Sequence, residues 1–394
     1  MKYFKNQIRI PESEFHSRFE SFYQEMRNAG VDTLMVIGDE YRKENLRYAS
    51  NYWPLFERGI AIFNLTHDPI LLAAPEGEKV AMEMSVIEDI RLSKECAAVT
   101  IPEEIDYPLA KYTSLKKLSE ELRVQKAGIV GLDVIPITLY QIIRENFCAD
   151  IVDMNPSFHK LRLRKSENEI KCLREAARLS DIAFMALQKA AVVGATELQL
   201  AGAAEGAALA AGAESMIFCV IGSGERTNTI IGRPTNKVIE DGDMIMASIA
   251  VQYEGYVATT EIPFAVGNAS EQTMKVIDTL MRAEAAGLPY LKGSVKMNEF
   301  VKAVRNYFRD KGLAQYDVYP PLHGIGCSEA ESPYPDENTE AVFAEGMMVN
   351  TDISLFGLPG GSNRIEEGFI ITKDGCEPLS PLVRNYCLNW LAKK

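Results

Sequence analysis

The chain has 394 residues, 47% hydrophobic and 25% charged, with a formal net charge of −13 at pH 7. That balance suits two globular domains of ordinary size and excludes a disordered chain. The negative charge disfavours nucleic acid and anionic membrane surfaces as partners, since both would be repelled. No apolar run is long enough to span a bilayer, and the opening MKYFKNQIRIPESE has no hydrophobic signal core, so a cytoplasmic location is expected. Seven cysteines (Cys96, Cys148, Cys172, Cys219, Cys327, Cys376 and Cys387) lack CxxC spacing and are expected to be reduced structural thiols.

Taken in order, residues 12–29 place Phe15, Phe19, Phe22, Tyr23 and Met26 at helical spacing, with Gly30 suited to the helix end. DTLMVIGD (32–39), GIAIFNLT (59–66), PILLAAPEG (69–77), AAVTIPE (97–103), AGIVGLDV (127–134) and DIVDM (150–154) have strand composition. Helical patterns occupy 115–122 and 136–145, the second opened by Pro136. This alternation predicts an α/β domain over residues 1–158, with the crossover to a second domain, 159–394, at 154–163. GSGERT (222–227) superficially resembles a phosphate loop, but no Lys-Ser/Thr follows, and a turn explains its glycines.

In the second domain, 166–192 is periodic, and Ser166 stands three residues ahead of Glu169 in a capping pattern. AGAAEGAALAAG (201–212) suits a helix lying close to a sheet. A strand at 215–221 precedes GDMIMASIAVQYEGYVATTEIPFAVG (242–267), which reads as two strands about a Glu254-Gly255 turn. Helices are expected at 272–290 and 296–311, and strands at 347–356 and 367–372. Three segments each set one ionisable residue in apolar or glycine-rich sequence: His323 in PPLHGIG, Asp352 in NTDIS and Glu366 in NRIEEGFIIT. Buried ionisable groups are costly unless paired, so several together point to a site. His16, His67 and His159 have no such context and are expected at the surface.

GDMIM, GY, HGIG, Asp352 and RIEEGFIIT follow one another as in the creatinase, aminopeptidase P and prolidase superfamily, and LRLRKSENEIKCLREAA (161–177) resembles the helix leading into that family's domain. The resemblance covers roughly residues 161–372 and implies an α/β N-terminal domain followed by an α+β pita-bread domain with a curved antiparallel sheet. It also implies a homodimer in which the N-terminal domain of one chain helps close the site of the other. Peptidases of this family hold two divalent metals with two hairpin aspartates, the HGIG histidine and two later glutamates. The aspartate positions match Ser248 and Thr259, while His323, Asp352 and Glu366 occupy the other three. Two further family histidines match Ile231 and Ala330, although Glu331 and Pro333 agree. Hydroxyls are poor substitutes for carboxylates around hard cations, so a di-metal site is not expected.

Strand alternation puts Thr259 and Glu261 on one face. By resemblance to the metal-independent creatinases, Glu261 and Asp352 would hold substrate with Glu366 nearby. Without a dication these carboxylates repel one another, so they take up protons or are balanced by Arg364, by a substrate or by a single metal. A cationic guest such as a guanidinium, amidine or amine fits paired carboxylates. His323 is assigned general acid/base work, with Glu331 or Glu366 as alternatives, and Tyr256 and Arg226 are weaker pocket-lining candidates. Cys327 follows HGIG without a group arranged to activate it.

The leading expectation is thus a cytoplasmic, homodimeric, metal-independent creatinase-like hydrolase of a C–N bond in a small nitrogenous, cationic non-peptide substrate. No cofactor and no nucleic-acid or membrane partner are expected. The alternatives are an Xaa-Pro type metallopeptidase with a single-metal site on His323, Asp352 and Glu366, and a non-catalytic relative that binds a small molecule or partner protein.

Overall fold

A computed structural model describes residues 7–97 and 107–393 and divides between Arg162 and Leu163 into two units, each built on its own sheet. The first unit runs α1 (Glu12–Ala29), β1 (Thr33–Asp39), α2 (Glu44–Ser50), β2 (Arg58–Asn64), β3 (His67–Ala73), α3 (Glu78–Met84), β4 (Asp89–Leu92), α4 (Leu115–Leu122), β5 (Ala127–Val130), α5 (Ile137–Asn146), β6 (Ile151–Asp153) and α6 (Asn155–Arg162). Its sheet has the order β4-β3-β2-β1-β5-β6, with β1, β5 and β6 parallel and β1-β2-β3 antiparallel. The strand expected at 97–103 falls outside the described residues from position 98 onward.

Period-two alternation sorts the apolar side chains of these strands between two layers. Met35, Ile37, Ile60 and Ile62 pack with Leu118 and Leu122 of α4 and Ile143 of α5. Phe63, on the alternate register of β2, meets Phe22 of α1 at 5.2 Å between ring centroids. Phe22 in turn stacks on Phe158 of α6 at 4.8 Å. The stretch expected to be a crossover is therefore helix from Asn155 to Arg162, because Phe158 supplies an apolar anchor inside otherwise polar sequence.

The second unit comprises α7 (Glu167–Ala190), α8 (Glu197–Ala210), β7 (Ser215–Ser223), β8 (Met244–Tyr253), β9 (Tyr256–Glu261), β10 (Phe264–Ala265), α9 (Glu271–Gly287), α10 (Met297–Asp310), β11 (Leu322–Gly324), β12 (Met348–Leu355), β13 (Asn363–Ile371), β14 (Cys376–Pro378) and α11 (Pro381–Ala392). Its eight-stranded antiparallel sheet has the order β10-β8-β9-β13-β12-β11, with β14 on β13 and β7 on β8. The β8–β9 hairpin closes through Glu254 and Gly255, both at positive φ (50° and 82°), the type I′ geometry that matches strand twist. α7 starts on a complete capping box: Ser166 accepts from the Glu169 N–H while Glu169 accepts from the Ser166 N–H. In α8 the close packing is made by Ala201, Ala204 and Ala208, which are buried, whereas a Cβ at Gly202 or Gly206 would meet nothing within 4 Å. The whole unit forms the pita-bread architecture.

Candidate active site

Register across four central strands aligns one row of side chains. Ser248 on β8 pairs with Glu261 on β9, Glu261 with Glu366 on β13, and Glu366 with Asp352 on β12. Directly opposed residues of antiparallel strands point to the same face, so these four share it. Residues two positions along join them: Thr259 beside Glu261, Arg364 beside Glu366, and Asn350 beside Asp352. His323 on β11 is paired with Asn350. No single strand would gather three acids, an arginine and a histidine; the register does.

The face opens into a cavity of about 990 Å³. Its floor includes His323, Asp352, Arg364 and Glu366, and Glu329 comes from the loop after β11. The walls are largely apolar or aromatic, from Ile217, Phe218, Val220, Ile231, Tyr319 and Tyr334. Ile231 and Ala330, where the family's extra histidines would stand, are wall residues that offer no ligand atom.

Arg364 is the cation of this face. Its Nε donates to Glu261 Oε2 at 2.7 Å and its Nη1 to Asp352 Oδ2 at 3.3 Å. Burial raises Glu261 to about 8 against the pull of Arg364, and raises Asp352 to about 7. One guanidinium does not balance every acid here, so protons reside among them. Glu366 is held below the ordinary carboxylate range: burial alone would raise it, but the His323 hydrogen bond and the Arg364 charge outweigh that. Ser248 Oγ donates to Glu366 Oε2 at 3.0 Å, and Asn350 Nδ2 donates to Glu366 Oε1.

His323 Nδ1 lies 3.0 Å from the Gly324 carbonyl, which accepts only, so Nδ1 carries the proton and Nε2 faces the acids. Nε2 is 3.7 Å from Glu366 Oε1 and 3.8 Å from Glu329 Oε1. Burial pushes this imidazole down, but the Glu366 hydrogen bond and the charges of Glu329, Glu366 and Asp352 win, raising it to about 9. Burial and the nearby Glu366 charge raise Glu329 to about 8.

Four expected site residues lie outside the cavity wall. Tyr256 is buried and its hydroxyl donates to Glu169 Oε1 at 2.9 Å, tying β9 to α7. Arg226 is paired with Glu197 of α8 at 3.1 Å, where Glu197 also accepts from Ser223 and Thr235. Glu331 holds Lys165 at 2.7 Å. Glu261 is fully buried behind Arg364, so it acts on the cavity only through that side chain. Sequence reading missed Glu329, Asn350 and Tyr319; for Glu329 the one available signal was an acid closely following HGIG in the small-residue stretch GCSEAES.

His323, Asp352 and Glu366 each offer a ligand atom, all within 4.8 Å of one another, and Asp352 Oδ1 is buried with no partner among the described residues. That set fits one divalent ion, with His323 oriented by the Gly324 carbonyl. A second ion does not fit. Ser248 and Thr259 are neutral donors to Glu366 and Glu329, and Glu261 is already balanced by Arg364.

The sequence profile of metallopeptidase family M24 matches residues 171–373, and that of the creatinase/prolidase N-terminal domain matches residues 18–164. The chain is 31% identical over 228 residues to the uncharacterized peptidase YqhT of Bacillus subtilis, covering 58% of this chain and 65% of that one. It is 27% identical over 306 residues to an Xaa-Pro dipeptidase of Pyrococcus horikoshii, covering 75% of this chain and 87% of that one. Among solved structures, an Xaa-Pro dipeptidase from Bacillus anthracis superposes with a TM-score of 0.79 at 25% identity, over 93% of this chain and 98% of that one.

These findings correct two expectations. The metal-independent, creatinase-like attack on a cationic non-peptide substrate gives way to a peptidase reading, since the relatives are named dipeptidases and Xaa-Pro dipeptidases. The expectation of no cofactor falls as well, because the matching family is one of metallopeptidases and three ligand-type residues still converge. On the sequence alone the absence of two aspartates disfavours any metal, whereas His323, Asp352 and Glu366 still place three ligand atoms within 4.8 Å of one another. The chain is a hydrolase of C–N bonds, and with the M24 profile spanning just over half of its length on the matching fold, it belongs to metallopeptidase family M24.

Proposed function

We propose that this chain is a dipeptidase of the Xaa-Pro type working with one divalent ion held by His323, Asp352 and Glu366. The convergence of these three residues on the floor of a single cavity carries the reading. When bound, the ion supplies Lewis acidity toward the scissile carbonyl. The chain's own residues supply the rest. Ser248 and Asn350 donate to Glu366 and fix its carboxylate plane. Arg364 fixes Asp352 and neutralises Glu261, sparing the floor a further uncompensated charge. Ile217, Ile231 and Tyr334, each more than a third exposed, give the cavity apolar contact area suited to a prolyl ring or aliphatic side chain.

The test is hydrolysis of a dipeptide panel containing Xaa-Pro and non-prolyl members by the purified chain with manganese, cobalt or zinc. Xaa-Pro turnover that disappears on chelation and returns with metal is expected. Turnover that survives exhaustive chelation would overturn the reading. A homodimer and a cytoplasmic setting accompany this proposal, supported by the family resemblance and by the seven cysteines, none of which forms a disulfide.

A further inference from the structure

The two hairpin positions that lack carboxylates face a loop that brings one. Glu329 Oε1 accepts from Thr259 Oγ1 at 3.5 Å, directly at the position of a missing aspartate, and lies 3.8 Å from His323 Nε2. Glu366 Oε1 flanks the same nitrogen at 3.7 Å. Thus Glu329 shares the histidine with one of the two acids of the metal set, and reaches it from outside the sheet. Asp352 Oδ1, in the same cluster, is buried and has no hydrogen-bond partner among the described residues, so the cluster retains an open acceptor.

We propose that Glu329 is a further ligand of the single ion, a carboxylate relocated from the hairpin strand to the loop after His323. This rests on the one-ion reading given above. The relocation follows from charge: a hard divalent cation draws anionic oxygens, and Thr259 offers only a hydroxyl. Glu261 does not substitute for it, since its Oε2 is held by Arg364. Glu329 is the remaining acid beside the histidine.

Metal binding to the full-length chain, measured by titration calorimetry and chelator competition with Mn²⁺ or Zn²⁺, tests this without reference to turnover. The wild type is expected to bind one equivalent. Glu329→Gln should lower affinity on the order of a hundredfold, and Co²⁺ loaded into that variant should give a visible spectrum altered from the wild type. Adding Thr259→Asp to Glu329→Gln should restore much of the affinity by returning the carboxylate to the strand, which also answers the case in which the single variant folds poorly. One equivalent bound by the wild type with unchanged affinity and Co²⁺ spectrum in Glu329→Gln overturns the inference alone. No ion bound by the wild type overturns the metal reading beneath it, and the inference with it.

Discussion

The two faces of the second sheet each bury acids, Glu366 and Glu367 on adjacent residues of β13 among them, yet they resolve their charge differently. On the helix-covered face, Glu367 and Glu284 share Arg384, whose Nη1 lies 3.0 Å from one and 3.3 Å from the other. Asp181 of α7 on that side accepts from Thr260 and Ser380 hydroxyls. Two acids against one arginine leave a single excess, and one proton settles it: burial raises both Glu284 and Glu367, the latter well above the ordinary range. On the cavity face, Glu261, Asp352, Glu366 and Glu329 stand against Arg364 and His323. Half of that compensation is an imidazole whose proton depends on the acids around it. An acid cluster sealed under helices with its own arginine is structural, whereas one with excess charge facing open volume is where a cation belongs.

The sharpest way to break this contrast is to remove the helix-face cation. Arg384→Met should leave the buried Glu284–Glu367 pair without its counter-charge and cost about 3 kcal/mol of stability, read as a lowered thermal transition of the full chain. Activity per folded molecule should be retained, because the hydrogen-bond partners of Arg384, Glu284 and Glu367, do not line the cavity. A loss of turnover with unchanged stability would mean that the two faces are not separate in role.

His323→Ala is the counterpart on the open face. It should cost on the order of a hundredfold in metal affinity and, because it takes a positive group from among the buried Glu366 and Asp352, it should lower the thermal transition as well. The same residue sets a pH dependence. The metal must displace the imidazolium proton, and His323 titrates at about 9, so apparent affinity should climb as pH rises through neutrality and level off above 9. The climb should approach about tenfold per pH unit for each proton displaced. Affinity flat from pH 6.5 to 9 would place the ion elsewhere.

Much of this was open to sequence reasoning where the signal is local. The Glu254-Gly255 turn, the Ser166–Glu169 cap and the shared face of Thr259 and Glu261 depend on neighbours within a few positions. The row Ser248, Glu261, Glu366 and Asp352 joins two local pairings through the register of Glu261 on Glu366, more than a hundred residues apart, which no periodicity encodes. Tyr256 and Arg226 were misplaced for the same reason: their partners, Glu169 and Glu197, lie on helices distant in sequence. That Glu329 of the loop after β11 lies beside Thr259, one of the two aspartate positions, is likewise visible only in space.

The smallest expected effect tests the proton assigned to the helix face. A carboxyl whose folded value is raised keeps its proton after the unfolded chain has lost it at about 4.3. The stability it contributes is full below that pH and is lost as pH rises toward the folded value. Glu367 should therefore weaken the fold progressively from about pH 5 upward. Glu367→Gln keeps the shape and an acceptor for Arg384, stays neutral at every pH, and leaves Glu284 alone to pair with the arginine. The variant should match the wild type near pH 4.5 and exceed it by about 1 kcal/mol at pH 8, measured by urea unfolding at the two pH values. If both proteins lose stability equally across that range, Glu367 is ionised in the folded chain. The helix face would then carry the same uncompensated charge as the cavity face, and excess charge would no longer mark which of the two binds a cation.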